Sequence, residues 1–498
     1  MLSFNTENLL FIGSVLIFAS IMISKAGYRY GVPALLLFLI VGMIFGSDGL
    51  GLVFNNYHQA QFVGAAALCV ILFSGGMETQ FSAVKPVLRE GIMLSTIGVI
   101  LTAVFTGLFI YLLTLFLPLS TPTTLLTCLL LAAVMSSTDS ATVFSILRSN
   151  RMGLKEHLQP ALELESGSND PMAYVLTVVL IQCVQTLSDP GAAHEGIHVW
   201  RIAGNAMLSF FLQLGIGTVL GLAFGYFAVW FLNRIHLHST SLYAILLLSI
   251  GFFTLSVTTL LKGNGFLAVY LAGIFIGNKP LANKREIFKF MDSMTWIMQI
   301  GMFLTLGLLV NPRDMLSIAP LALLVGVFLI LVARPLTVFI TLLPFRQFSL
   351  KARIFISWVG LKGAAPILFA TYPVIADVPG SEQIFNIVFF ITILSMLVQG
   401  MSIPTVARWL RLDLPEEEQT ETFGIEIPEE AGKLLNARLT EADLEAGNTL
   451  KEILLPEGSR VVMIQRGKEL IVPDGSVELR PGDDLLMIRK NQLDEDEE

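Results

Sequence analysis

Charged residues are scarce in this chain of 498 residues, where Asp, Glu, Lys and Arg make up 14% and hydrophobic residues 54%. Soluble domains carry about 25% charged residues, so the composition excludes a soluble globular protein, a disordered chain and a DNA-binding protein. The three cysteines lie in apolar stretches and cannot form a disulfide framework. The class that remains is a polytopic membrane protein.

The net charge of −8 hides two parts of opposite sign. Residues 413–498 hold 23 acidic and 9 basic residues, whereas residues 1–412 hold 16 acidic and 22 basic ones. This shift predicts a membrane domain over 1–412, an acidic linker over 413–422, a small α/β domain over 423–490 and an acidic tail over 491–498.

Apolar stretches recur along the first 412 residues and predict about thirteen transmembrane helices. Their approximate bounds are 7–24, 33–48, 60–77, 91–117, 121–147, 158–187, 201–232, 239–261, 263–278, 290–310, 315–343, 351–373 and 383–411. Loops that follow odd-numbered spans hold 17 Lys and Arg residues, and the opposite loops hold 3. The positive-inside rule therefore predicts an amino terminus outside, with no cleaved signal peptide, and a cytoplasmic carboxy-terminal domain.

The segment after the membrane part has short β-like runs with turn residues between them. The predicted strands are 423–428, 459–465, 470–472, 476–479 and 484–489, and a short helix is predicted over 450–454. A domain of about 70 residues is small but foldable, and pairing with a second copy favours its stability.

Ionisable and polar residues cluster inside three predicted spans, where a charge costs roughly 2.5–3.5 kcal/mol. Span 5 contains the run 136–140 (SSTDS), span 6 the run 165–171 (ESGSNDP), and span 12 the run 360–366 (GLKGAAP). Asp170 lies four residues after Ser166 on one helix face, and Glu165 and Asn169 form a second such pair. Carboxylate, hydroxyl and amide oxygens suit Na⁺, K⁺ or a proton, while the alternative is a structural polar network between helices.

Spans 5 and 12 are also poor candidates for continuous helices. Span 5 has five consecutive polar residues, and in span 12 glycines flank Lys362 and a proline follows. If spans 1–6 and 8–13 are inverted repeats, these interrupted helices occupy corresponding places, which points to a transport site. Asp139 and Lys362 would then offset the unpaired helix dipoles at the crossing.

These motifs resemble the monovalent cation/proton antiporter superfamily, in its NhaP/NHE branch. The resemblance rests on Thr138-Asp139, on Glu165-Ser166 with Asn169-Asp170, and on residues 360–364 (GLKGA), and it covers residues 1–412. The segment VVMIQRGKELIVPDGSVELRPGDDLL is similar to the TrkA-C (RCK-C) domain of K⁺ transport proteins. The combination resembles the NhaP-type K⁺/H⁺ antiporters of cell-volume regulation.

The resemblance implies electroneutral exchange of K⁺ or Na⁺ for H⁺ by an elevator-type homodimer in the bacterial inner membrane. It implies that Asp170 binds cation or proton in turn, and that Thr138 and Ser166 supply oxygens to the ion. Asp139 would lie at the helix crossing. Asn169 stands where electrogenic relatives have a second aspartate, and Glu165 would pair with Lys362, the basic residue of span 12. Beyond the transported ions no cofactor and no nucleic-acid partner is expected, while a small-molecule ligand is expected at the carboxy-terminal domain.

Two other functions are weighed against an antiporter. A tail-gated cation channel would be expected to carry a filter such as TVGYG, which this sequence lacks. An intramembrane aspartyl protease would use two aspartates such as Asp139 and Asp170, yet neither follows a GxGD motif. The sequence leaves the choice between K⁺ and Na⁺ open.

Overall fold

A computed structural model describes most of the membrane part and a smaller share of the carboxy-terminal part. The described residues are 6–28, 32–116, 124–150, 152–188, 199–415, 433–439, 444, 447–450, 452–453, 459–466, 469–473 and 477–489. The chain divides into two compact units, Met1–Pro415 and Glu416–Glu498.

The first unit is built from helices, as its long apolar runs predict. The helices are α1 (Thr6–Tyr28), α2 (Ala34–Phe45), α3 (Tyr57–Glu78), α4 (Phe81–Val84), α5 (Leu88–Met93), α6 (Val99–Phe116), α7 (Leu125–Val134), α8 (Ser140–Ser149), α9 (Leu158–Ser188), α10 (Val199–Arg234), α11 (Thr240–Leu260), α12 (Gly265–Gly277), α13 (Lys284–Leu309), α14 (Pro312–Phe328), α15 (Arg334–Thr341), α16 (Leu350–Trp358), α17 (Ala364–Ile375), α18 (Ser381–Ser395) and α19 (Met401–Leu410). A 3₁₀ turn at Lys85–Val87 and π-helical turns at Leu94–Gly98, Leu329–Ala333 and Met396–Gly400 join neighbouring helices into longer rods.

Eight of the described helical rods are long and apolar enough to cross a membrane, judged by length and composition. They are Tyr57–Glu78, Phe81–Phe116, Leu158–Leu187, Trp200–Arg234, Thr240–Leu260, Lys284–Leu309, Pro312–Thr341 and Ser381–Leu410. Five shorter apolar helices accompany them, at Leu10–Lys25, Ala34–Phe45, Leu125–Val134, Gly265–Gly277 and Ala364–Ile375. Many large apolar side chains on these helices are exposed, among them Trp200 and Phe116, as expected of surfaces that face lipid.

A two-stranded antiparallel sheet belongs to the first unit. Strand β1 (Met152–Leu154) lies between α8 and α9, and strand β2 (Asp413–Pro415) follows α19, with Gly153 opposite Leu414. The predicted linker over 413–422 therefore begins with three residues that are paired to the membrane unit, because their backbone groups complete this sheet.

The second unit contains a four-stranded antiparallel sheet in the order β3-β6-β4-β5. Its strands are β3 (Lys433–Arg438), β4 (Ser459–Arg466), β5 (Glu469–Ile471) and β6 (Asp484–Arg489). Strands β4, β5 and β6 match predicted strands to within one residue, whereas β3 was not predicted. The run 423–428 lies outside the described residues, Glu478 makes only an isolated bridge to Thr449, and the described residues of 450–454 form a turn rather than a helix.

Candidate functional site

Two interrupted helices meet in the interior of the membrane unit. Helix α7 ends at Val134 and α8 begins at Ser140, while α16 ends at Trp358 and α17 begins at Ala364. The non-helical segments between them touch, because the backbone N–H of Asp139 donates to the Leu361 carbonyl at 2.8 Å. Both predicted interruptions are therefore present in the structure, and they lie against each other.

Asp139 and Lys362 stabilise the helix ends at this crossing. Asp139 caps the amino terminus of α8, where its Oδ1 accepts from the Thr142 N–H at 3.0 Å. Lys362 is 1% exposed, and its Nζ donates to the Ser137 carbonyl at 2.8 Å, beyond the carboxy terminus of α7. The helix dipole favours a negative charge at a helix amino terminus and a positive charge at a carboxy terminus, so both charges lie at favourable ends.

Gly363 makes this close approach possible. A Cβ atom at this position would lie 2.2 Å from Oδ2 of Asp139, so a larger residue would displace the carboxylate from its capping position. Gly363 thus has two effects: it disfavours a continuous helix in span 12, and its lack of a side chain leaves room for the Asp139 carboxylate.

Asp170 lies beside the crossing on α9 and is 9% exposed. Its Oδ1 accepts a short hydrogen bond from the Ser137 hydroxyl. A single neutral donor compensates only part of the cost of burying a carboxylate.

Thr138, Ser166 and Asn169 connect α9 to the interruption in span 5. Ser166 donates to the Thr138 carbonyl at 2.9 Å and accepts from the Ser140 N–H at 3.0 Å, and the Asn169 amide donates to the Thr138 hydroxyl. The Oδ1 atom of Asn169 is buried and has no hydrogen-bond partner among the described residues. All seven residues predicted for the site thus gather around the crossing.

The predicted ion pair between Glu165 and Lys362 is wrong. Glu165 instead pairs with Arg334, at the start of α15, and the two side chains are 2% and 5% exposed. Because neither charge can reach water, each would be strongly destabilising without the other as its ion-pair partner. Lys362 donates instead to the Ser137 carbonyl.

Arg334 and Ser137 are therefore site residues that the sequence reasoning did not assign. Arg334 gave a signal, because it is a charge within an apolar span, and such charges usually pair with another buried group. Ser137 belongs to the polar run of span 5, but spacing alone did not distinguish it from Ser136, whose hydroxyl bonds the Ala133 carbonyl instead.

The sequence matches known families in both of its parts. Residues 14–409 match the family described as sodium/hydrogen exchanger, transmembrane, and residues 439–493 match the TrkA-C domain. The K⁺/H⁺ antiporter NhaP2 of Shewanella oneidensis is 39% identical over 480 residues, which cover 96% of this chain and 80% of that protein. The K⁺/H⁺ antiporter NhaP of Alkalimonas amylolytica is 38% identical over 404 residues, which cover 81% of this chain and 67% of that protein.

A solved structure gives the same fold. The sodium proton antiporter MjNhaP1 from Methanocaldococcus jannaschii superposes with a TM-score of 0.68 over 81% of this chain and 98% of its own, at 22% identity. The extent of the family match and the identity to the two NhaP relatives agree with the resemblance drawn from the motifs. The chain belongs to the sodium/hydrogen exchanger family, whose members are cation/proton antiporters rather than enzymes, and it carries a TrkA-C domain after its membrane part.

Proposed function

We propose that this protein exchanges K⁺ or Na⁺ for H⁺ across the membrane, with Asp170 binding the cation and the proton in turn. The observation that carries this proposal is the buried Asp170 carboxylate beside two crossed interrupted helices, held by one neutral hydroxyl. Thr138 and Ser166 supply further oxygens to the ion, and Asn169 adds a buried carbonyl oxygen next to them. The NhaP relatives, whose names give K⁺/H⁺ exchange, favour K⁺ as the cation.

The charge balance at the crossing supports exchange of one cation for one proton. Asp139, Glu165 and Asp170 contribute three negative charges, and Arg334 and Lys362 contribute two positive ones. The remaining single negative charge is neutralised by one monovalent cation or by one proton. Exchange is therefore electroneutral, and a membrane potential exerts no thermodynamic force on it.

The surrounding architecture is proposed to be that of an elevator-type homodimer with thirteen spans. The eight long helical rods and the five shorter apolar helices support thirteen segments, and the distribution of Lys and Arg supports an amino terminus outside and a cytoplasmic TrkA-C domain. We further propose a place in the bacterial inner membrane and a role in cation, pH or volume homeostasis, as the resemblance to NhaP-type antiporters implies. An open cavity of about 460 Å³ beside Asn448, Glu478 and Arg480 is a place where a small ligand of the TrkA-C domain could bind.

The test is cation-driven proton movement in proteoliposomes, with K⁺, Na⁺ and Li⁺ compared on the full chain. We expect Asp170→Asn to abolish exchange with every cation while the protein elutes and melts as the parent does. A matched control is Asp314→Asn, which neutralises an aspartate near the start of α14, away from the crossing. Normal exchange by Asp170→Asn would refute the assignment of this carboxylate.

Electroneutrality is tested separately by imposing a diffusion potential with valinomycin and following Na⁺/H⁺ exchange, if Na⁺ is a substrate. We expect the equilibrium ratio of the two gradients to stay the same when the potential is imposed. A shift would mean that a second charge moves with the ion, and it would overturn the one-for-one stoichiometry.

A further inference from the structure

Helix α12 is fixed to α3 and α10 by direct backbone contact. A Cβ atom at Gly76 of α3 would lie 2.5 Å from the Tyr270 carbonyl, and one at Gly221 of α10 would lie 2.5 Å from the Ala268 carbonyl. Backbones this close leave no room for one helix to slide past another without collision. The three helices therefore behave as one rigid support.

The same helix meets the site helix α9 through two aromatic side chains and through its N-cap residue Asn264, whose amide donates to the Pro171 carbonyl at 2.8 Å. The Tyr270 ring lies on Gly167, where a Cβ atom would be 2.3 Å from the ring. The Phe266 ring meets the Tyr174 ring edge to face, with 5.1 Å between centroids and 85° between planes. Phe266 and Tyr270 are 3% and 2% exposed. Unlike a backbone contact, such a contact can open by rotation of a side chain or by movement of α9.

These two contacts lie on either side of Asp170. Gly167, Asp170 and Tyr174 are spaced i, i+3 and i+7, so they share one face of α9. At about 1.5 Å per residue, Gly167 is about 4.5 Å before Asp170 along the helix and Tyr174 is about 6 Å after it. Phe266 and Tyr270 are themselves one turn apart on α12.

We propose that Phe266 and Tyr270 are two gates that close opposite approaches to Asp170. This inference rests on the proposed function, in which the site must open to one side at a time. In the proposed orientation Tyr270 closes the cytoplasmic approach and Phe266 the outer one. Gly167 is the seat of the first gate, and the rings of Tyr174, Phe369 and Tyr372 form the seat of the second. Carried on one rigid helix, the two rings keep a fixed separation while α9 moves past them.

The experiment measures access to the site from each side. Asp170→Cys is introduced into a full chain whose three native cysteines are replaced by alanine, and a membrane-impermeant thiol reagent is applied from one side of oriented vesicles. We expect Tyr270→Ala to speed labelling at least tenfold from the cytoplasmic side only, and Phe266→Ala to do so from the outer side only. Tyr270→Phe, which keeps the ring, should label like the parent. Phe224→Ala, which removes a ring that packs edge to face on Phe253 between α10 and α11, is the control for loss of an aromatic group.

The proposal of two gates would be overturned if labelling of the cysteine were accelerated equally from both sides or not at all. It would also be overturned if Phe224→Ala had the same effect. Tyr270→Leu and Phe266→Leu repeat the test with a smaller loss of volume if an alanine variant does not fold. With Asp170 restored, each single variant and the double variant should leak protons without a transported cation, because the site is exposed to both sides whenever a remaining gate opens, while Phe224→Ala should stay coupled. If the parent exchanges no cation, the proposed function fails, whereas sided labelling of the cysteine reporter still decides whether the gates exist.

Discussion

The buried ion pair between Glu165 and Arg334 allows a quantitative prediction of stability. The pair joins α9 to α15 across 169 positions of sequence, and its side chains are 2% and 5% exposed. Removal of one partner leaves the other charge buried without compensation, which typically costs about 3–5 kcal/mol. We therefore expect Arg334→Met and Glu165→Met each to lower the free energy of unfolding by about that amount.

The double variant separates the interaction between Glu165 and Arg334 from the interactions that each residue makes with the rest of the protein. With both charges replaced by apolar side chains of similar length, no uncompensated charge remains, and such replacements are often neutral or stabilising. We expect Glu165→Met with Arg334→Met to lose less than either single variant, which gives a coupling energy of at least about 3 kcal/mol in a double-mutant cycle.

The assay is unfolding of the full chain from lipid-detergent micelles, followed by tryptophan fluorescence as SDS is added. The ion pair between Arg313 and Asp48 is the control, because its nitrogen and oxygen are 3.7 Å apart and its side chains are 84% and 21% exposed. Its rupture should cost about 0–1 kcal/mol. If the losses of Glu165→Met and Arg334→Met simply add in the double variant, the two residues do not stabilise each other, and the reasoning fails.

Three further predictions concern the crossing, the small sheet and the TrkA-C domain. Lys362→Ala should melt at a lower temperature than Lys362→Arg, because only arginine retains a cation that can bond the Ser137 carbonyl; equal melting would show that this contact is not structural. Leu414→Pro, compared with Leu414→Ala, should speed amide hydrogen exchange at 152–154, because proline disturbs the β1–β2 pairing, and unchanged exchange would mean that the pairing contributes little. Burial raises the pKa of Asp483, but hydrogen bonds from the Arg466 side chain and from the Arg480 backbone outweigh burial and hold this pKa below its ordinary value of 3.8. The ionised Asp483 carboxylate therefore stabilises the domain at pH above 3.8, and this contribution is lost as the pH falls through the lowered pKa. Amide hydrogen exchange at β4 and β6 should speed up in that acidic range in the parent protein. The same acceleration should be absent in Asp483→Asn.

The sequence predicted which residues gather at the crossing better than it predicted how they pair. Carboxylates and glycines inside apolar spans are visible because each is costly there, and this signal identified Asp139, Asp170 and Lys362. Spacing along one helix shows which residues share a face. It does not show which distant helix faces them, so the sequence did not match Arg334 to Glu165.

The carboxy-terminal sheet shows the same limit in another form. Strands β4 and β6 are rich in Val, Ile, Leu and Met, and this composition predicted them. Strand β3 (Lys433–Arg438) has the sequence KLLNAR, which has no strong preference for a strand, and it becomes one because β6 offers a free edge. Long-range pairing of this kind depends on tertiary context rather than on local propensity.

The five charges at the crossing differ in what compensates each of them, and this difference assigns their roles. Glu165 and Arg334 cancel each other. Asp139 is held by an N–H group at the start of α8, and Lys362 by a carbonyl that follows α7, so both are stabilised by helix ends. Among the described residues, Asp170 accepts a hydrogen bond from the neutral Ser137 hydroxyl and forms a direct ion pair with none of the basic side chains. In the proposed function, Asp170 is therefore the member of this group whose charge an incoming ion balances, while Asp139 and Lys362 hold the two interrupted helices together and the Glu165–Arg334 pair joins α9 to α15.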